Sequence, residues 1–114
     1  MKYTAEQLYA MLQTVPGLTG GVTYRLWKKQ PGEDAPKMPF VSFYSPFERS
    51  LKADNIVYYS VPHYQAELYS SQTVPNIEAA LEAKLTGAGI VWSKNKEYLD
   101  DQQCWCVIYE FEVI

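Results

Sequence analysis

The end of the chain, residues 104–114, alternates in the way that a β-strand alternates. One set of alternate positions is apolar and rich in aromatic residues: Trp105, Val107, Tyr109, Phe111 and Val113. The other set begins apolar and becomes acidic: Cys104, Cys106, Ile108, Glu110 and Glu112. Because successive side chains of a strand point to opposite faces, the first row should face a core. We therefore expect a long terminal strand with an exposed edge that can receive a neighbouring chain.

A chain of 114 residues fits one domain, which can bury about 60 to 70% of the surface that its unfolded form exposes. Hydrophobic residues make up 47% of the sequence and charged residues 20%, so a folded globular domain is expected. Ten tyrosines and three tryptophans suit half-buried sheet faces and subunit interfaces equally well.

The net charge of -3 disfavours a protein that binds duplex DNA by neutralising phosphates. The basic cluster of Arg25, Lys28 and Lys29 is more typical of a solvated surface than of a nucleic-acid site. No window approaches the ~20 apolar residues of a membrane span, and the N-terminus lacks the pattern of a signal peptide. We expect a soluble protein that is made in the cytoplasm and does not bind membranes.

The first half of the chain predicts one helix and two strands. Thr4 and Gln7 fit a capping box for a helix over residues 5–14, which Pro16 and Gly17 end. A strand is predicted over residues 22–28 and a second over residues 39–45. Between them, residues 30–37 predict a mobile hairpin connection on the surface.

The middle of the chain leaves one alternative open. Pro46 is expected to close the second strand, and the polar residues 47–55 then form a long loop or a tip. Residues 56–61 and 64–70 predict two strands. The residues between them, Pro62 and His63, indicate either a tight turn or a bulge within one longer strand.

The last third predicts a helix and a final hairpin. Thr73 is the expected N-cap, Pro75 belongs in the first helical turn, and Gly87 ends the helix. Residues 90–93 start a strand, residues 94–101 form the turn region, and the terminal strand returns antiparallel. The element order is α-β-β-β-β-α-β-β, which predicts an α+β domain with one mostly antiparallel sheet and two helices packed on one face.

No pattern of residues indicates catalysis, a cofactor or a metal. The nucleotide-binding, hydrolase and zinc-protease motifs are absent, and His63 is interpreted as an ordinary turn or surface histidine. Cys104 and Cys106 point to the same face of a strand, so buried and reduced thiols are expected rather than a disulfide or a zinc site. We expect a protein that is not an enzyme and has no cofactor.

Four short stretches carry a resemblance to a family of small tail proteins of siphophages and their prophages. They are residues 53–55 (Ala-Asp-Asn), residues 67–70 (Glu-Leu-Tyr-Ser), the helical residues 77–82 (Ile-Glu-Ala-Ala-Leu-Glu), and residues 109–113 (Tyr-Glu-Phe-Glu-Val). The same order recurs in that family as a strand start, a strand end, a Glu-rich helix and a terminal strand. The chain is similar to the family from about residue 39 onward, and before it only in element order.

The resemblance implies a head-to-tail joining or tail-terminator protein. Such a subunit forms a hexameric ring that caps the tail tube and gives the head connector a docking surface, while DNA passes through without specific binding. The implied location is the tail or neck of the virion, assembled in the cytoplasm of the bacterial host. We expect subunit contacts on two loops and on the terminal strand, with these candidate residues: Phe47, Arg49, Lys52, Asp54, Asn55, Glu33, Asp34, Glu110 and Glu112.

Two other interpretations remain open at this point. One is another phage neck protein, such as a head-completion connector or a minor tail subunit. The other is a small ligand-binding or peptide-binding α+β module that uses the uncovered sheet face.

Overall fold

We describe the fold from a computed structural model, in which residues 3–24, 37–53 and 56–113 are described; at residues 46–53 and 56–61 this covers the backbone alone. The element order is α1 (Ala5–Gln13), β1 (Val22–Tyr24), β2 (Phe40–Ala53), β3 (Ile56–Ser70), α2 (Pro75–Gly87), β4 (Trp92–Leu99) and β5 (Cys104–Glu112). The α+β class is thereby confirmed. None of the helices in the described ranges is long and apolar enough to cross a membrane.

Both helices begin where their sequences predict a start. In α1 the Thr4 side chain accepts a hydrogen bond from the Gln7 backbone N–H at 3.1 Å. The Gln7 Oε1 in turn accepts a hydrogen bond from the Thr4 backbone N–H at 2.9 Å. This is the predicted capping box. In α2, Pro75 is the first helical residue as expected, but the N-cap position is Val74, with no side-chain cap hydrogen bond. The prediction of Thr73 as the cap is therefore wrong.

The five strands form one sheet in the order β1-β2-β3-β5-β4. All neighbouring pairs are antiparallel except β1 and β2, which run parallel from the Val22–Val41 pair to the Tyr24–Phe43 pair. The predicted hairpin between the first two strands is therefore wrong. A connection of a dozen or more residues permits either direction, so its length did not decide the pairing. Most of that connection, and the predicted strand beyond Tyr24 with its basic cluster, lies outside the described residues.

The alternative left open around Pro62 and His63 is resolved, because β3 is one continuous strand. The irregularity lies on its partner: between the Tyr44–Gln65 and Phe47–His63 pairs, β2 has one more residue than β3. Pro46 occupies this bulge, where a missing N–H costs no ladder hydrogen bond, and the Ser45 hydroxyl donates to the His63 carbonyl at 2.8 Å. The prediction that Pro46 closes the strand is therefore wrong. Of the two alternatives for residues 47–55, the long loop is wrong through Ala53, where β2 ends.

The last hairpin is longer than its sequence predicts. Residues 94–99, predicted to be turn, continue β4 to Leu99, and β4 pairs with β5 from Trp92–Phe111 to Leu99–Cys104. The terminal strand β5 lies between β3 and β4, so the expectation of an exposed terminal edge is wrong. The outer positions of the sheet belong to β1 and β4. The sequence alone does not show which of the last two strands lies inside the sheet and which lies at its edge.

The main core lies between the sheet and the two helices. Of the terminal row predicted to face a core, it contains Val107, Tyr109, Phe111 and Val113, whereas Trp105 is only partly buried and lies outside this cluster. From the helices, Leu8, Leu12, Leu81 and Leu85 are fully buried in the same cluster. A smaller cluster on the other row contains Phe40, Tyr69, Cys104 and Cys106. Both cysteines are free and buried, as predicted.

Candidate assembly surfaces

The most unusual feature of the fold is a two-stranded ribbon that extends past the rest of the sheet. The pairing of β3 with β5 stops at His63–Glu112, and that of β1 with β2 involves residues 22–24 and 41–43 only. The Pro62 carbonyl still accepts a hydrogen bond from the Val113 N–H at 3.3 Å, and beyond it β2 and β3 pair solely with each other among the described residues, out to Ala53–Ile56. We call residues 47–53 and 56–62 the arm. At about 3.3 Å per residue it adds roughly 23 Å to the sheet.

The arm explains why the molecule is elongated. Its principal extents are 49 × 33 × 24 Å, and its radius of gyration is 15.2 Å. A compact chain of this length would have a radius of gyration of about 13 Å. A two-stranded hairpin on its own is only marginally stable in water, because it has no third strand or helix to cover either face.

A cleft of about 410 Å³ lies at the foot of the arm. It is lined by Tyr3, His63, residues 88–93 and residues 110–113. Here β5 extends past the start of β4, whose first residue Trp92 pairs with Phe111, so the end of β5 lies beside the turn that follows α2. Val91 is 87% exposed at this turn, the most exposed of the large hydrophobic side chains that the structure describes. The sequence signal was the apolar run Ile90-Val91-Trp92, of which one residue has to face outward in a strand.

Two of the predicted interface residues, Glu110 and Glu112, line this cleft. Glu110 is exposed and accepts a hydrogen bond from the Gln65 Nε2 at 3.1 Å. The Glu112 Oε2 lies 3.7 Å from the His63 Nδ1. No lysine or arginine is among the described residues that line the cleft, so its formal charge is acidic. His63 therefore does not lie at a turn, which was one of the two positions expected for it. It lies within β3, at the point where the arm leaves the sheet.

The structure places the other predicted interface residues as follows. Phe47, Arg49 and Lys52 lie on the arm in β2. Asp54 and Asn55 follow Ala53 and, like Glu33 and Asp34, lie outside the described residues. The predicted interface residues therefore include part of the cleft lining and one strand of the arm. The sequence analysis did not single out residues 88–93, which also line the cleft.

A group of ion pairs fixes α2 to the outer strand β4. The buried Glu78 carboxylate lies 3.3 Å from the Lys94 Nζ and 3.0 Å from the Lys96 Nζ, and Lys94 also contacts Glu82 at 2.7 Å. The hydrogen bond to Glu82 raises the pKa of Lys94. Burial alone would raise the pKa of Glu82, but hydrogen bonds from Lys94 and the Tyr109 hydroxyl outweigh it and lower that pKa. These contacts hold an otherwise exposed strand against the domain.

A buried carboxylate with tyrosine donors lies on the opposite sheet face. The Tyr69 hydroxyl donates to the Glu67 Oε2 at 2.5 Å, and the Tyr44 hydroxyl lies 3.3 Å from the Glu67 Oε1. Burial, followed by the contacts with Glu67, raises the pKa of Tyr44 to about 12 and that of Tyr69 further above its usual range. Burial is also the main reason that the pKa of Cys106 is raised to about 12. Protonated tyrosines and a protonated thiol are poor nucleophiles and bases, so this cluster is interpreted as structural.

Comparisons with known proteins add no identity. No protein-family model and no curated protein matches the sequence. Within the described ranges, no group of His, Cys, Asp or Glu side chains could hold a metal ion. The class that fold and surfaces define is an α+β domain with a protruding arm and an acidic cleft at its foot.

Proposed function

We propose that this chain is a structural, non-enzymatic subunit of a siphophage-type tail. Copies assemble into a ring, expected to be hexameric, which terminates the tail tube and joins it to the head connector in the neck of the virion. The observation that supports this proposal most directly is the arm, since a ribbon that pairs with no third strand among the described residues gains stability from a neighbouring copy.

The sequence of the arm supports contact with protein rather than with water. Five of the six residues at 56–61 are hydrophobic: Ile56, Val57, Tyr58, Tyr59 and Val61. An unsupported apolar ribbon with free strand edges risks aggregation unless another surface covers it. A ring supplies such a surface for every copy, because each subunit presents one patch to a different patch on the next.

Three of the four segments that carry the family resemblance lie in elements of the implied kind, and the first does not, because Ala53 ends a strand where the resemblance implies a strand start. Ala53 ends β2 at the tip of the arm, residues 67–70 end β3, residues 77–82 belong to α2, and residues 109–112 end β5. The net charge of -3 also suits a channel through which DNA slides, because like charges prevent adhesion.

Deletion of the gene from its phage tests the proposal. We expect filled heads and unjoined tails, some of irregular length, in electron micrographs of the lysate. Complementation with the wild-type chain should restore infectious particles, and complementation with Arg49→Glu/Lys52→Glu should not, although we expect that variant to fold. Lys84→Glu, an exposed change on α2, is the matched control. Normal infectious particles from the deletion strain would refute the proposal.

A peptide-binding or ligand-binding module is the second candidate. The cleft favours it, since about 410 Å³ lies within the ~300–1,000 Å³ range of small-molecule sites. It predicts saturable binding of a small molecule or an extended peptide and loss of that binding on Val91→Asp. The ring proposal predicts no such ligand.

A further inference from the structure

We propose that the cleft at the foot of the arm receives the arm of a second copy of this chain. The inference rests on the self-assembly proposed above and names the two surfaces that meet. It joins two sets of residues, those on the arm and those at the end of β5, into one contact.

The chemistry of the cleft defines what it can bind. Its walls combine apolar side chains, among them Val91 and Val113, with the carboxylates of Glu110 and Glu112. An occupant that covers the exposed Glu110 should offer an apolar surface and at least one cation, because a carboxylate that loses contact with water on binding is costly unless an opposite charge faces it. His63 already faces Glu112, which leaves room for a second charge on the exposed Glu110 side.

The arm provides both features in its sequence. It carries two cations, Arg49 and Lys52, and three aromatic residues, Phe47, Tyr58 and Tyr59. An aromatic side chain buries about 150–250 Å², so two of them in one contact would offer roughly 300–500 Å². A standard protein interface buries about 800 Å² on each partner, so the flanks of the arm have to supply the rest of that side.

The arm that fills the cleft must come from another copy. Within one chain the arm continues directly from the Phe47–His63 pair, and the pairing of His63 with Glu112 forms the wall of the cleft. A chain could insert its own arm only by breaking these pairs. Because arm and cleft are different surfaces, each copy can use its arm on one neighbour and its cleft on the other, which is the contact that closes rings.

A charge-swap experiment on the full chain tests this contact. The arm variant is Arg49→Glu/Lys52→Glu, the cleft variant is Glu110→Lys/Glu112→Lys, and a third chain carries all four changes. Glu97→Lys on β4 is the control for a carboxylate outside the cleft. Self-association is measured by sedimentation over a concentration series, and circular dichroism checks that each variant is folded.

We expect each double variant to weaken self-association about tenfold or more, and the four-residue variant to regain most of the loss. An equimolar mixture of the arm and cleft variants should associate more strongly than either alone. The inference is overturned if the variants associate like the wild type, if restoration fails in folded chains, or if the wild type stays monomeric at its solubility limit. None of these results refutes the tail proposal, which depends on the deletion phenotype.

Discussion

Alkaline pH should destabilise this protein, because three of its most buried titratable groups hold their protons more tightly in the folded state than in the unfolded state. Tyr69 is 8% exposed, Tyr109 is fully buried, and Cys106 is 2% exposed. Burial is the largest cause of the raised pKa in each case, and hydrogen bonds of the two tyrosines to Glu67 and Glu82 add to it.

The sign follows from which state releases the proton. A group whose folded pKa is raised contributes its full stability below its ordinary pKa and loses it as the pH rises towards the folded value. The ordinary pKa is 9.0 for the thiol and 10.0 for the phenols. Each group therefore lowers the free energy of unfolding by about 1.4 kcal/mol for each pH unit above its ordinary pKa.

The combined effect is comparable to the stability of a small domain. Between about pH 8 and pH 11, the titration of Cys106 should remove about 2.5 kcal/mol of stability, and that of each of the two tyrosines about 1.4 kcal/mol. The free energy of unfolding should fall by roughly 5 kcal/mol, against a typical total of about 5–15 kcal/mol. Urea unfolding followed by tryptophan fluorescence, with a reductant present, measures this loss.

A pair of tyrosine variants isolates one group. Tyr109→Phe removes the hydroxyl that lies 2.8 Å from the Glu82 Oε2, so it should lower stability near neutrality by about 1 kcal/mol. Above about pH 10 the free energy of unfolding of this variant should fall less steeply with pH than that of the wild type. The difference in slope should correspond to about one proton released on unfolding. Tyr98→Phe, at a side chain that is 46% exposed, is the control for removing a tyrosine hydroxyl outside the core. A free energy that is flat from neutral to alkaline pH, or an unchanged slope in Tyr109→Phe, would show the reasoning to be wrong.

Three further predictions concern stability and are checked by thermal or urea unfolding. Glu78→Gln should destabilise by about 1–2 kcal/mol, because two half-exposed lysines lose their buried partner, and the difference from wild type should shrink at high salt; an equal loss in the control Glu97→Gln would contradict this. Gly20→Ala should prevent stable folding, since a Cβ there would lie 1.8 Å from the Lys37 carbonyl oxygen, whereas Gly87→Ala, with open space around it at the end of α2, should be neutral or stabilise by up to about 1 kcal/mol. Leu85→Ala should cost about 2–5 kcal/mol by leaving a cavity between α2 and the sheet, and a loss below about 1 kcal/mol would show that the core collapses around it.

Local signals were sufficient where one stretch of chain decides its own structure. The capping box at Thr4 and Gln7, Pro75 at the start of α2, and the alternating row from Val107 to Val113 all lie as predicted. Each depends on contacts within a turn of helix or on the period of a strand. The same period placed both cysteines in one buried cluster.

Local signals failed where distant strands compete. Pro46 is a strand breaker by itself, but the bulge opposite β3 accommodates it, and the polar residues after it continue β2 because β3 offers a partner. The polar segment at residues 94–99 is a strand because β5 pairs with it and α2 supplies carboxylates for its lysines.

By itself, the sequence determined that this chain has two helices, a mostly antiparallel sheet and a terminal strand whose aromatic row is largely buried. Only the tertiary structure decided that β5 is central, that β1 runs parallel to β2, and that β2 and β3 extend past the sheet as an arm with an acidic cleft at its foot. The physical reason is that polarity along a strand reports which face is buried, whereas neighbour, direction and length depend on backbone hydrogen bonds to residues far away in the chain.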